Sequence, residues 1–389
     1  MGLVKPNYKT ILPSTPGRFE QQWAECLDQL TGYLSEPNYK IFRICVFIHV
    51  ESESDFELKS STILSEITLK NAGDAMPVSV IPQSPEEPFV VAIELGLIEK
   101  CTATVNYTQS NELVYSTVTS DEGIQECWLV GAMSDTVFGG SHNPAVRAFE
   151  KVKSGLDNAG LSFNSVVRQW NYVGRILDIS GSNGSQIQNY QLFNETRNKQ
   201  YSQFRSISGF PAATGIGINS GRVAIECMTI NSDVVQVIAV SNPNQKESYH
   251  YGQEVLVGEP KVQKQPPQFE RAILLRSGKT SRLIISGTAS IVGQQTIGLG
   301  DVELQTKITI DNIEKLTSVS NLKAHCPDLK NYPDRYNYLR VYVKNRIDIQ
   351  KVKKICSDHF GNVPATYVQA DICRNDLLVE IEAEKINVG

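Results

Sequence analysis

The residues best suited to acid–base chemistry lie near the end of the sequence, where a cysteine precedes three regularly spaced glutamates. Cys373 comes seven residues before Glu380, and Glu382 and Glu384 follow at every second position. Alternate side chains of a strand point to one face, so the three carboxylates share a face. A solvated acidic face shows the same alternation. A carboxyl enclosed on such a face would instead hold its proton near neutral pH and act as a general acid.

Two predicted strands position this group. Residues 367–373 and 377–384 have strand character, and the polar residues 374–376 between them suit a tight turn. The sequence therefore predicts a closing β-hairpin. Its turn would allow Cys373 and Glu380 to face one pocket although their separation along the chain is odd.

An order of strands and helices occurs twice in the chain, which indicates an internal repeat. The first unit has predicted strands at 127–133, 166–177, 222–230 and 234–240 and helices at 144–159 and 185–204; the second has strands at 271–275, 281–291 and 338–343 and helices at 301–316 and 347–360 before the hairpin. Aligning FPAATGIGI…RVAIECMTI with VPATYVQADI…LLVEIEAEKI sets Glu226 opposite Glu380. This pattern predicts an α/β (α+β) fold of tandem modules, with mixed sheets and helices packed on one face.

The same pattern divides the chain into four parts. We expect a β-rich N-terminal region with one long helix at residues 1–122, a first module at 123–251, a linker at 252–268, and a second module at 269–389 that carries the hairpin. The linker is polar and contains three prolines.

Composition excludes several classes of protein. The chain has 389 residues, a net charge of −5 and 20% charged residues, so it lacks the basic footprint of a nucleic-acid-binding protein. No apolar run approaches the roughly 20 residues needed to span a bilayer. Eight cysteines without a C-x-x-C pair favour reduced thiols and a cytoplasmic protein. The run TGIGINSG does not match a dinucleotide fingerprint, and no metal or cofactor is expected.

Four runs resemble one enzyme family. RQWNYVGRI at 168–176, FPAATGIGI at 210–218, ISGTASIVG at 285–293 and the final VPA…VEIEA resemble the chorismatases, which remove pyruvate from chorismate, and in particular their 3-hydroxybenzoate synthase-like type. The last run also resembles the end of the Rid/YjgF (chorismate mutase-like) superfamily, whose fold chorismatases share. That superfamily forms trimers with sites between subunits. The resemblance thus implies a pocket between the joined modules of a monomer with internal pseudo-symmetry, or of a small homo-oligomer.

The resemblance also implies roles for individual residues. Glu380 corresponds to the catalytic glutamate that protonates the enolpyruvyl methylene. Cys373 corresponds to the cysteine of the 3-hydroxybenzoate-forming type, and Gly287 to a second position at which the types differ. The expected product is mainly 3-hydroxybenzoate, with dihydroxycyclohexadienoate as the alternative. A buried core cysteine is the competing interpretation of Cys373.

Chorismate carries two carboxylates and a ring hydroxyl, which its site must hold. Arg205 and Arg340 lie within or beside the matching runs and are expected to bind the carboxylates, because guanidinium binds carboxylate through paired hydrogen bonds. Ordinary ion pairs are the alternative for both. Tyr201 and Thr214 are expected to serve the hydroxyl and a carboxylate oxygen.

Two other functions remain open. A Rid-type imine or enamine deaminase would have an arginine at the end of a P-A-R run, where this chain has Thr366 in one unit and Ala213 in the other. A non-catalytic small-molecule-binding module is the third interpretation.

Overall fold

The strands of the protein form three main sheets, of four, six and six strands. The computed structural model describes residues 2–110, 113–180, 187–257 and 263–387. Each sheet is formed by a continuous part of the described chain, and helices cover one of its faces. The predicted α/β class, with mixed sheets and helices on one face, is confirmed.

The N-terminal sheet has the strand order β1-β4-β2-β3. Its elements are β1 (Asn7–Ile11), α1 (Phe19–Leu34), β2 (Tyr39–Ile48), α2 (Glu53–Lys70), β3 (Val78–Ile81) and β4 (Val91–Glu99). The sequence did not predict α2, because only Phe56, Ile63 and Ile67 of this helix are buried and its apolar stripe is narrow. Ser52 caps it by accepting a hydrogen bond from the Asp55 backbone amide at 3.1 Å.

The middle sheet has the order β11-β8-β12-β7-β6-β5. Its elements are β5 (Ala103–Gln109), β6 (Val114–Ser120), β7 (Gln125–Met133), α3 (Pro144–Asn158), β8 (Val166–Gly174), α4 (Asn189–Phe204), β11 (Ala212–Ile218) and β12 (Val223–Asn231), with a separate ribbon of β9 (Ile179–Ser180) and β10 (Ile187–Gln188). Asn143 caps α3 and Pro144 occupies its first turn, as helix-start chemistry favours.

The C-terminal sheet has the order β13-β14-β15-β20-β18-β19. Its elements are β13 (Gln236–Val240), β14 (Ala272–Ser277), β15 (Thr280–Ala289), α5 (Val302–Thr317), α6 (Val319–His325), β18 (Arg335–Val343), α7 (Ile349–Phe360), β19 (Ala365–Gln369) and β20 (Val379–Ile386), with a ribbon of β16 (Ile291–Val292) and β17 (Gln295–Thr296). No helix among the described residues is long and apolar enough to cross a membrane.

The three sheets share one connectivity. Strand, helix, strand, helix, edge strand and central strand follow one another in each, and the order β1-β4-β2-β3 matches β7-β12-β8-β11 and β15-β20-β18-β19. Among the described residues, the N-terminal sheet has no counterpart of the two strands that precede β7 and β15. The described part of the chain thus contains three copies of the module, one more than the sequence repeat predicts.

The copies close into a ring around a shared core of buried residues from all three sheets. The edge strand of each copy contacts the next copy. Ser79 of β3 accepts from the Gly131 amide at 2.7 Å, Ser286 of β15 accepts from the Ala213 amide at 2.9 Å, and the hydroxyls of Thr10 and Thr366 are 3.0 Å apart. Helices lie outside this ring, so charged side chains on inward faces become buried between copies.

Strand pairing corrects several sequence predictions. The C-terminal hairpin is wrong, because β19 and β20 both pair with β18, which lies between them. The strands at 103–120 join the middle sheet and not the N-terminal region, and β13 pairs with β14 of the C-terminal sheet. Part of the predicted linker, residues 258–262, and the predicted first residues of α4, 185 and 186, lie outside the described residues.

Candidate active site

A cavity lies between the middle and C-terminal copies. It encloses about 690 Å³, part of which opens to solvent. Strand β11 and helix α4 form one side, and β15, β20 and the segment before β20 form the other. Tyr251, the last residue of the predicted first module, and Val255 and Leu256 of the predicted linker complete the wall, so the linker is part of the cavity and not only a connection.

Glu380 presents an enclosed carboxyl to this cavity. It lies on β20, with 5% of the residue exposed. Burial, and secondly the negative charge of Glu382, raise the pKa of Glu380 to about 8, while Arg168 and Arg271 act in the opposite direction. No hydrogen bond joins its carboxyl to any other described residue. The carboxyl is therefore protonated at neutral pH and free to donate its proton into the cavity.

Gly287 makes room for that carboxyl. A Cβ atom at residue 287 would lie 2.0 Å from Glu380 Oε1, so only glycine is compatible with this position of the carboxyl. The Gly287 amide donates to Thr214 Oγ1 at 3.1 Å. Thr214 also accepts from Arg168 Nη2 at 2.7 Å and donates to Glu382 Oε2 at 2.6 Å. Thr214 therefore holds Gly287 in place at the cavity wall, and its hydroxyl makes all of its hydrogen bonds to protein groups.

Cys373 lines the same cavity, in the segment between β19 and β20. Burial, followed by the charge of Glu380, raises the pKa of the Cys373 thiol to about 12. The sulfur is therefore a neutral thiol and not a thiolate nucleophile at physiological pH. The structure brings Cys373, Glu380 and Gly287 together on the wall of this cavity.

Two buried guanidinium groups near the cavity lack carboxylate partners among the described residues. Arg271 lines the cavity with 3% of the residue exposed, and its Nη2 donates to the Tyr251 hydroxyl at 2.8 Å. Arg197 on α4 donates to Asn194 Oδ1 at 2.8 Å, and Asn194 itself lines the cavity. Among the described residues, no atom accepts a hydrogen bond from Arg271 Nε, Arg197 Nε or Asn194 Nδ2. These groups are positioned to hold anionic oxygens.

The sequence did not single out these three side chains, although a signal was present. The face of α4 that includes Tyr190, Asn194, Arg197 and Tyr201 follows helical spacing but is polar; Asn194, Arg197 and Tyr201 are buried and Tyr190 is partly buried. A polar stripe on a helix between buried strands is unusual, and it could have indicated a site.

Three residues predicted to bind substrate lie elsewhere. Arg340 is fully buried and donates to both oxygens of Glu94, at 2.7 Å and 3.1 Å, and to the Tyr172 hydroxyl. Arg205 donates to the backbone carbonyls of residues 163 and 209 beyond the end of α4. Tyr201 donates to Gln169 Oε1 in the core. The structure therefore does not bring these three side chains to the cavity.

Buried charges explain the position of Arg340. At the junction of the three copies, Arg340 bridges Glu94 and Glu382, and Arg43 bridges Glu94 and Glu226. These glutamates occupy equivalent places on β4, β12 and β20. Each glutamate pairs with a residue of the neighbouring strand, which pairs in turn with a residue of the edge strand. These pairs are Cys45 and Ser79 for Glu94, Trp170 and Thr214 for Glu226, and Arg340 and Thr366 for Glu382.

The alignment of Glu226 with Glu380 is therefore wrong by two residues. Glu226 and Glu382 each lie at a β-bulge, where pairing with β7 and with β15 shifts register. Two residues earlier, the copies have Ala92, Ala224 and Glu380. The repeated glutamate is a structural element of every copy, whereas the carboxyl in the cavity occurs in one copy alone.

Comparison with known proteins gives this fold a family context. The family model described as chorismatase FkbO/Hyg5-like, N-terminal, matches residues 98–229. A crystal structure of a chorismatase superposes with a TM-score of 0.69 at 19% identity, covering 99% of each chain. The fold is that of a chorismatase.

Curated relatives are named as members of the enzyme family that the sequence resembles. A 3-hydroxybenzoate synthase from Streptomyces hygroscopicus is 33% identical over 226 residues, which are 57% of this chain and 63% of the relative. A chorismatase from Streptomyces rapamycinicus is 33% identical over 227 residues, 57% of this chain and 64% of the relative. The chain thus matches just under two thirds of the length of these relatives. The resemblance to chorismatases is confirmed.

Proposed function

We propose that the protein removes pyruvate from chorismate by protonating the enolpyruvyl ether. The observation that carries this proposal is Glu380, an enclosed and protonated carboxyl on a cavity wall, present where the other two copies have alanine. A general acid must hold its proton near the working pH, and Glu380 meets that condition without any hydrogen bond that would compete for the proton.

The reaction follows from the chemistry of this acid. Glu380 transfers its proton to the terminal methylene carbon of the enol ether, which leaves an oxocarbenium ion on the side chain of the substrate. Addition of water to that ion and cleavage of the ether bond release pyruvate. Simple hydrolysis consumes one water and leaves a dihydroxycyclohexadienoate, whereas loss of the ring hydroxyl as water gives 3-hydroxybenzoate with no net water consumed. The wall that carries Glu380 also carries Cys373, so these two residues act on the same substrate.

Two cationic groups suit the two carboxylates of chorismate. Arg271 lies near enough to act on the charge of Glu380, and we assign it to the enolpyruvyl carboxylate. Arg197, with Asn194, lies on the helix at the other side, and we assign it to the ring carboxylate. A buried guanidinium without a counter-ion is costly, and a bound carboxylate removes that cost. These assignments replace Arg205 and Arg340.

We assign product choice to Cys373. Its neutral thiol lies beside the acid on the cavity wall and can relay a proton to the departing ring hydroxyl, which favours loss of that hydroxyl as water over release of the dihydroxycyclohexadienoate. The proposed main product is 3-hydroxybenzoate, the compound named in one curated relative.

The test is pyruvate release from chorismate by the purified protein without added metal or nucleotide, measured by coupling to lactate dehydrogenase. Absence of release above background would refute the proposal. The deaminase alternative has less support, because Ala213 lines the cavity where an arginine would be required. Activity on 2-iminobutyrate in place of chorismate would favour it.

A further inference from the structure

The carboxyl groups of Glu380 and Glu382 are linked through two residues, Gly287 and Thr214. They lie on the same inward face of β20, and Gly287 and Thr214 fill the space beside them. Gly287 contacts the Glu380 carboxyl, and its amide donates to Thr214 Oγ1, which in turn donates to Glu382 Oε2. A change in charge on one carboxyl therefore acts on the other through the buried interior.

The surroundings of Glu382 favour its ionised form. Every hydrogen bond that it makes to a side chain comes from a donor: Arg168 at 2.8 Å, Trp170 at 2.7 Å, Thr214 at 2.6 Å, Tyr342 at 3.2 Å and Tyr338 at 3.3 Å. Protonation would remove the charge that strengthens these five bonds and would leave Arg168 without an ionised partner at this point. Burial acts to raise the pKa of Glu382, but Arg168 and Arg340 outweigh it and the pKa is lowered.

Glu380 has the opposite environment. No described residue hydrogen-bonds to its carboxyl. Two adjacent buried carboxyls do not both ionise readily, so the one with donors ionises and the other keeps its proton. We propose that Glu382 is a positioning residue whose fixed negative charge keeps the proton on Glu380 ready for transfer to the substrate. This inference rests on the proposed function, in which Glu380 is the acid.

The equivalent residues of the other copies separate this role from a structural one. Glu94 and Glu226 are also buried and also pair with arginine, but Ala92 and Ala224 occupy the places corresponding to Glu380. These two carboxylates hold copies together without an acid beside them. Glu382 alone of the three adds a second effect to the shared structural one.

Other charged and titratable groups also face Glu380. Arg168 on β8 and Arg271 before β14 favour the ionised form of Glu380. The neighbouring neutral groups are Cys373, in the segment before β20, and Tyr190, on α4. A substrate carboxylate on Arg271 would cancel part of the effect of that arginine. The basic limb of kcat is therefore expected at a higher pH than the basic limb of kcat/KM, since only the former reports the complex.

The experiment compares the pH dependence of pyruvate release in two matched variants. Glu382→Gln removes the negative charge and keeps the shape of the side chain. Its basic limb of kcat/KM is expected about one pH unit or more below that of the native protein, because a like charge no longer opposes ionisation of Glu380. Glu226→Gln removes the equivalent carboxylate from the middle copy. It carries the same kind of structural cost, and its basic limb is expected at the native pH.

A second variant covers the case in which Glu382→Gln does not fold. Combining it with Arg168→Gln leaves no unpaired guanidinium at that point, and amide can hydrogen-bond to amide. The basic limb of this double variant is also expected below the native value, since Glu382 acts on Glu380 more strongly than Arg168 does. The inference would be overturned if either folded variant had its basic limb of kcat/KM at the native pH, or if Glu226→Gln lowered the pH of that limb as much as Glu382→Gln does. Absence of pyruvate release by the native protein would instead refute the proposed function.

Discussion

Replacing Gly287 by alanine tests the position of the proposed acid with the smallest possible change. The new methyl carbon would lie 2.0 Å from Glu380 Oε1 and 3.1 Å from Thr214 Cγ2. The backbone at Gly287 does not have the left-handed φ that would itself disfavour alanine. The main effect therefore falls on the Glu380 carboxyl, which has no hydrogen bond to hold it against displacement.

The size of the effect follows from that distance. Ordinary carbon–oxygen contacts begin near roughly 3.4 Å, so the carboxyl must move by more than about 1 Å. A misplacement of about 1 Å costs about a hundredfold in rate when the displaced group takes part in the reaction. We expect kcat to fall about a hundredfold, with a small change in KM and a loss of about 1–3 kcal/mol in the free energy of unfolding from overpacking.

The assay is the coupled release of pyruvate, with thermal unfolding measured on the same samples. Gly155→Ala is the matched control, because its new carbon would lie 2.6 Å from Leu129 Cδ2 under α3, remote from Glu380. It should lower stability without changing kcat. Adding Gly287→Ala to Glu380→Gln should cause no further loss, since both changes disable one group. Independent, multiplicative losses in that double variant would refute the assignment of Gly287 to the acid.

Three further predictions concern the acid, the product and the substrate. Glu380→Gln should lower kcat at least about a hundredfold. Because the pKa of Glu380 is raised to about 8, the native protein loses stability as pH rises from about 4.5 to about 8, whereas the variant does not. The variant should therefore resist heat better than the native protein at about pH 9, and lower stability there would contradict the burial argument. Cys373→Ala should keep pyruvate release but shift the product from 3-hydroxybenzoate toward dihydroxycyclohexadienoate, as chromatography would show; an unchanged product ratio would mean that the cysteine only fills space. Arg271→Gln should raise KM about tenfold or more by removing a charge-assisted bond to a carboxylate, while Arg205→Gln should leave KM unchanged and lower the unfolding temperature; the reverse pattern would restore Arg205 as the ligand.

Much of the fold was predictable where the sequence pattern is local. The sequence pattern indicates α3, α5 and α7 to within a few residues, and the one long helix expected in the N-terminal region corresponds to α1. Pairing between distant strands was less predictable. The segments 367–373 and 377–384 suggested a hairpin because they are adjacent in sequence, but β18, which lies much earlier in the chain, is inserted between them. The N-terminal copy escaped notice because it shares connectivity with the others without sharing their motifs.

What the sequence by itself determined about the candidate site is its small set of reactive residues. The resemblance to chorismatases indicates Glu380, Cys373 and Gly287, and strand alternation places Glu380, Glu382 and Glu384 on one face. Only the tertiary structure decides what covers that face, because alternation defines a face and not its environment. All three glutamates proved to be buried between copies, and the solvated acidic strand is wrong.

The same limit explains the substrate-binding residues. An arginine can bind a carboxylate of the substrate or of the protein equally well, and the sequence does not distinguish the two. The ring of copies brings Glu94, from a separate sheet, against Arg340 and neutralises it, and it leaves Arg271 and Arg197 beside the cavity without a described counter-ion. The partner of a buried charge is chosen by contacts between residues far apart in the chain. Only the folded structure determines which guanidinium remains available for a ligand.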